Sequence, residues 1–468
     1  MTILSLVRFE AIALSRRRGA LMPLLILGVL VLLAFGARAI DTARAETERV
    51  AITQAERTRW LALPPQDAHG AAHWGIYAFK PAPALLPLDP GISDDVGQSV
   101  WLEAHRQDDM LYRPRQEASP LRRAAAVDPA GLILAFGPLA LFLLAFTTVA
   151  ETRERGILAL ALPNSREPTR LLRAKVLAIM LAAMLILVLP LALIAPIVAA
   201  ASGLLTADIM LRVVLWTAVM STFIAILSLV GVTVAAALRD PRRALGALFA
   251  LWVVLSFVSP RLAIAGADRA DPLPSTAAVR QEMLDQAPAY WSPESSAEHK
   301  RTVLARYGVT RNEDLPIGAR GAELDLAERR SHEVFDRILG GLYTAIERQE
   351  RDFAAFGVLS PAIAATALSA TVAGTDFPQH RAFITSAEHY RRNLVNTMND
   401  AVMHHVHNHS GMAPPDDIHL WSRVPAYRYD PPLLPLGFER AWPALIALLA
   451  WIIASALALR IVARRLTA

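Results

Sequence analysis

Histidines crowd the stretch Met403–Met412, which reads MHHVHNHSGM and holds His404, His405, His407 and His409; His419 follows beside Asp416 and Asp417. Imidazole nitrogens are ligands for borderline divalent cations, and on a helix His405 and His409 share a face one turn apart. Such a tract with flanking methionines reads as a site for copper, nickel or zinc, or as a solvent-facing polar stretch at a helix end. No stricter ligand pattern completes it. His332-Glu333 lacks the second histidine of an HExxH motif, and no GxSxG occurs. Nothing here points to a hydrolase.

A phosphate-binding loop is absent too. Of 47 basic residues only Lys80, Lys175 and Lys300 are lysines, and none follows a glycine. A nucleotide-binding P-loop needs a lysine reaching the phosphates from a glycine-rich turn. If ATP drives this protein, the ATPase is another polypeptide, and so is the holder of any ATP–magnesium. Cysteine is absent, which excludes disulfides and thiolate metal sites. The net charge of +5 is modest, and the arginines lie near the ends of apolar runs rather than in a patch suited to nucleic acid.

The elements that must position these residues are membrane helices. At 468 residues and 54% hydrophobic, the chain reads as an integral membrane protein. Residues 1–18 form an amphipathic interfacial helix ending in Arg16, Arg17 and Arg18, with Ile3, Leu6, Val7, Ala11 and Leu14 on its apolar side and Arg8 and Glu10 away from it. The first span is 19–40. Residues 41–128 form a first external insertion, charged and helical up to Pro64-Pro65, then rich in proline and aromatics. Trp74, Tyr77, Phe79 and Trp101 fit either an interfacial aromatic belt or a small external core. Residues 129–265 supply spans two to five, with an arginine-rich loop at 151–175 between two uncharged runs. Residues 266–440 form a second external insertion, and 441–468 the last span and a basic tail. Positive charge in short loops marks the inner side, so both termini lie inside.

Two details refine this expectation. Phe353–Thr375 is uncharged but mostly small residues, and a span there would carry Arg460, Arg464 and Arg465 outside; it reads as a helical piece on the outer membrane surface. The spans hold no ionisable residue in their central parts, which disfavours a proton relay or an ion channel. The fold class expected is thus all-α, with six membrane helices and two mainly helical external insertions.

The inner loop carries the most specific signal. Glu151, Glu154, Arg155 and Gly156 close span two. Pro163-Asn164-Ser165 makes a turn, Arg166 follows, and Glu167-Pro168 starts a helix running to Lys175. Together with the interfacial elbow, the six spans and the external stretches AAHWGIYAFKPAP, LDPG, SVWLEAHRQ and SPAIAATALSATVAGTD, this resembles the permease subunit of ABC-2-type transporters, in a bacterial branch with large external insertions. The resemblance implies a bacterial inner-membrane protein that works with separate ATP-binding subunits and a second, identical or related permease, exporting a substrate. The elbow and the loop residues Glu151, Glu154, Arg155, Gly156 and Arg166 would be the coupling elements. The large insertions depart from the better-known members and would shape an exit chamber or dock a periplasmic partner. The histidine tract motivates a different reading, a membrane-anchored metal-binding, sensor or scaffold protein.

Overall fold

The computed structural model describes residues 2–65, 68–108, 110–119, 127–156, 168–286, 292–404 and 419–466. Among them six helices are long and apolar enough to cross a bilayer: Arg18–Leu61, Pro129–Glu154, Pro168–Ala201, Ala207–Ala237, Pro241–Ala270 and Arg440–Arg465, numbered spans 1 to 6 in that order. Span 4 is the hub. Trp216, Met220, Phe223, Ile224, Leu227 and Val232 are all buried, in one core with spans 2 and 3. Its hydroxyls are spent on its own backbone, as in Thr217 to Val213 and Ser228 to Ile224. Gly231 lies against Phe142 and Ala145 of span 2, where a methyl group would sit 3.0 Å from each. These small residues therefore serve close helix packing.

Span 3 carries Pro190, and a π-helical turn at Met184–Val188 precedes it; span 5 repeats the device, with Val254–Val258 before Pro260. A proline ring collides with the carbonyl one turn back. The wider turn relieves that collision, so the prolines are absorbed without breaking either helix.

The segment Phe353–Thr375 corrects the expectation of a helix resting on the membrane surface. The long external helix Ala319–Ala355 passes into a short 3-10 turn, and a helix Pro361–Ala373 runs back, its Ile363, Ala364, Ala365, Leu368 and Val372 fully packed. Ser360 Oγ donates to the carbonyl of Leu255 at 2.8 Å, and Trp451 Nε1 to that of Gly357 at 3.0 Å. At 1.5 Å per residue, Leu255 is about 21 Å along span 5 from Pro241. The segment is a re-entrant hairpin, and its alanines and glycine are what let it fit between spans 4 and 6. Irregular backbone at that depth is tolerated because it is buried in protein. It returns to its starting side, so the six-span count stands.

Beyond the spans, the two insertions share one core rather than forming two domains. Trp60, Ile76, Val100, Leu102, Phe383, Leu394, Val395, Met398 and Trp421 pack together. Span 1 runs on as one helix to Leu61, and Trp60 Nε1 donates to the Trp421 carbonyl at 2.9 Å. Three antiparallel strands, β1 (Ile76–Phe79), β2 (Ser99–Glu103) and β3 (Arg106–Gln107), stand in the order β1-β2-β3. Tyr77 and Trp101 are cross-strand partners with ring centres 4.6 Å apart, and Arg59 lies over Trp101 at 5.5 Å. Those two aromatics are thus part of the sheet's packing, whereas Trp74 is 48% exposed.

Candidate coupling face and external chamber

The elbow helix Ile3–Arg16 is capped by Thr2 and packs on the base of span 3 through Leu6, Glu10 and Leu14, one residue per turn. Glu10 is therefore not on a solvated side, as its place opposite the apolar residues suggested. Lys175 Nζ donates to both of its carboxylate oxygens at 2.9 Å, and both side chains are buried. Next to this pair Arg17 donates to the Thr147 carbonyl at 2.7 Å. Arg153 donates to the carbonyls of Leu238 and Ala236 at 2.7 and 2.8 Å, satisfying the C-terminal end of span 4. The elbow and the adjoining ends of spans 2, 3 and 4 are thereby tied by cations to one carboxylate and to backbone carbonyls.

Of the loop residues singled out in the sequence, Glu151 and Arg155 form an ion pair one turn apart. Glu154 and Arg155 are exposed, and Gly156 ends the helix in the left-handed conformation at φ 71°. Arg166 and the turn before it lie outside the described residues, as do His405, His407 and His409. His404 and His419 are both exposed. His404 Nδ1 is 3.0 Å from the Asp400 carbonyl, and His419 contacts the Trp421 ring.

At the other end of the molecule, the domain built from the two insertions lines an open cavity of about 1200 Å³. The apolar stripe of helix Ala319–Ala355 faces it through Phe335, Leu339, Leu342 and Ile346. Its polar wall holds buried ionisable groups. Burial keeps His69 neutral, its pKa pushed down to about 4, with His105 nearby adding to the effect. Burial, with Lys80 beside it, takes His380 down to about 3, and burial takes Lys80 to about 8 against the pull of Asp376. Behind the wall, Glu350 is pushed up to about 8 by burial and by Asp376.

A family model described as an ABC-2 family transporter protein matches residues 16–304, more than half of the chain, from the end of the elbow through all of the first five spans. The chain belongs to the ABC-2 transporter family. A second model, a domain of unknown function (DUF3526), matches residues 276–430 of the external domain. No curated protein and no solved structure matches the chain. This ABC-2 permease is a multi-pass membrane protein, a transporter component of the kind that pairs with an ATP-binding subunit.

Two sets of residues escaped the sequence reading. Glu10 was legible only through its partner: Lys175 is the single lysine in the membrane half, and an ammonium at the foot of a span calls for a carboxylate. His69 and His73, in AHGAAH, have the same one-turn spacing as His405 and His409. Their companions come from 32 and more residues away, so no local pattern announces them.

Proposed function

We propose that this chain is the membrane-spanning subunit of an ATP-driven exporter in a bacterial inner membrane, with its elbow and the Glu151–Gly156 end of span 2 forming the seat of a separate ATPase. The observation that carries this is the buried Glu10–Lys175 pair. It makes the elbow and the foot of span 3 one rigid unit, and Arg153 and Arg17 extend that unit to spans 2 and 4. A push on the exposed Glu154 and Arg155 is then delivered to three spans at once instead of being lost in a loose loop. The external cavity stands on the far side of those spans as a place for a substrate to arrive.

The test is co-purification with candidate ATP-binding subunits from the same organism, followed by ATPase assay in lipid nanodiscs. Glu154→Arg should leave the permease folded and lower the permease-stimulated ATPase rate by at least about tenfold, the effect of about 1.4 kcal/mol at a coupled contact. No association, or a rate untouched by Glu154→Arg, sinks the reading.

A further inference from the structure

The polar wall of the external cavity holds an arrangement that neither transport nor packing calls for. His69 and His73 stand one turn apart on the short helix Ala68–His73. His105 comes from the turn between β2 and β3, where its backbone takes the left-handed conformation at φ 66°. A non-glycine residue in that region is uncommon, and such poses cluster where a side chain must be aimed. The three Nε2 atoms converge. His73 Nε2 is 3.1 Å from His69 Nε2, and His105 Nε2 is 3.3 Å from it. The ligand atoms of all three rings lie within 4.8 Å of one another. Two imidazole nitrogens bound at about 2.0–2.1 Å on one tetrahedral zinc stand about 3.3 Å apart.

The outer nitrogens fix which atoms point inward. His105 Nδ1 is 2.5 Å from Glu328 Oε1. A carboxylate only accepts, so Nδ1 carries a proton, and in the neutral ring Nε2 is then the atom that can ligate. His69 Nδ1 is 3.0 Å from Asn399 Oδ1, which directs its Nε2 lone pair the same way. The two Nε2 atoms stand 3.3 Å apart, so they can share one proton or both turn their lone pairs on one cation. Glu328 is itself firmly held. Its Oε1 also accepts from the His105 backbone N–H at 2.8 Å, and Arg391, fully buried, stands 3.7 Å from Oε2 with His332 at 3.2 Å. A histidine ligand backed by a carboxylate is the outer-shell pattern of zinc proteins.

We propose that His69, His73 and His105 bind one divalent cation of the zinc class, with the fourth tetrahedral position open to the external cavity. The fourth ligand is then water or an anionic or nitrogen donor of a molecule in the cavity. The ligands come from the first external insertion and their supports, Glu328 and Asn399, from the second. The metal therefore clamps the two insertions together as well as presenting a charge to the chamber. The site uses none of the histidines at 404–419 as ligands, and it stands whether or not the inner face seats an ATPase.

The full-length protein in detergent, stripped with chelator, is titrated with Zn(II) and with Co(II). The expected result is one metal per chain and, with Co(II), the strong visible bands of a four-coordinate nitrogen site, which shift on adding azide. His73→Ala and His105→Ala should weaken binding more than the about 10–100-fold expected for the outer-shell variant Glu328→Gln. Replacing His404, His405, His407, His409 and His419 together should leave stoichiometry and spectrum unchanged. If the ligand variants fail to fold, the wild-type spectrum decides alone. A stoichiometry well below one, weak octahedral bands, binding unaltered in folded His73→Ala, or metal lost with the 404–419 histidines would each overturn the proposal.

Discussion

The inner face and the external chamber solve the problem of charge in opposite ways. On the elbow side, cations go to backbone carbonyls and, among the described residues, to one buried carboxylate: Arg153 to the end of span 4, Arg17 to Thr147 within span 2, Lys175 to Glu10. Other charges there, such as Arg155 and Arg243, stay exposed. Outside, carboxylates and histidines are drawn into the fold and meet in networks, Glu328 with His105, His332 and Arg391, and Arg391 in turn with Glu388. The first arrangement suits a surface that must transmit force as a rigid piece. The second suits a chamber whose walls must hold lone pairs and charges at set positions. A buried charge is expensive unless it is paired, so each network marks a place where the fold has kept polar chemistry despite that cost.

The contrast can be broken from its strongest point downward. Lys175→Ala leaves Glu10 buried without a cation, and removing one partner of a buried pair costs about 3–5 kcal/mol. Thermal unfolding in detergent should show a larger fall for this variant than for Gly357→Ala or Arg155→Ala. The double variant Glu10→Gln with Lys175→Met should regain much of the loss. Additive losses would show that the pair does not lock the elbow.

Glu350 probes the external side. Its carboxyl keeps its proton in the fold up to about pH 8, whereas in the unfolded chain it ionises from 4.5 upward. The folded state thus binds more protons in that window, and stability falls as the pH rises through it. Glu350→Gln retains an acceptor for the Phe377 N–H. It should raise stability at pH 8 by about 2–4 kcal/mol, from roughly 1.4 kcal/mol per pH unit discounted for relaxation, and change little at pH 5. An equal gain at both pH values contradicts the assignment.

Gly357→Ala tests the re-entrant hairpin. The added methyl would sit 2.8 Å from Ala364 Cβ and 3.0 Å from Ala447 Cβ. Overpacking of that kind costs about 1–3 kcal/mol, read as a lower midpoint of unfolding. A neutral result would mean that the hairpin does not lie against span 6.

The smallest stability effect belongs to the inner surface. Arg155 is largely exposed, and its pair with Glu151 contributes no more than about 0.5 kcal/mol. Arg155→Ala should leave the unfolding midpoint where it was and still lower the permease-stimulated ATPase rate. A variant that loses stability and keeps coupling would invert the comparison.

What could be read from the residues follows the same division. The six spans, the elbow and the helix opening at Pro168 are local: apolar runs, basic ends and a proline at the first helical position declare them. The re-entrant hairpin was half legible. Its lack of charge showed that it could enter the membrane, but its depth is set by Ser360 meeting Leu255 and Gly357 meeting Trp451, partners about a hundred residues away. The three-histidine cluster was illegible as a site, because His69 is paired with Asn399 and His105 with Glu328 across more than 200 residues. The shared core of the two insertions has the same origin. Spacing within one segment cannot report a contact made by the fold.

The absence of cysteine allows the central claim to be tested cleanly. A single cysteine at Glu154 is challenged with a membrane-impermeant maleimide in right-side-out and inside-out vesicles, with and without the ATP-binding subunit. The account predicts labelling only in inside-out vesicles, and protection there once the ATPase subunit is bound. Labelling in right-side-out vesicles, or equal labelling with and without the ATPase, would contradict it.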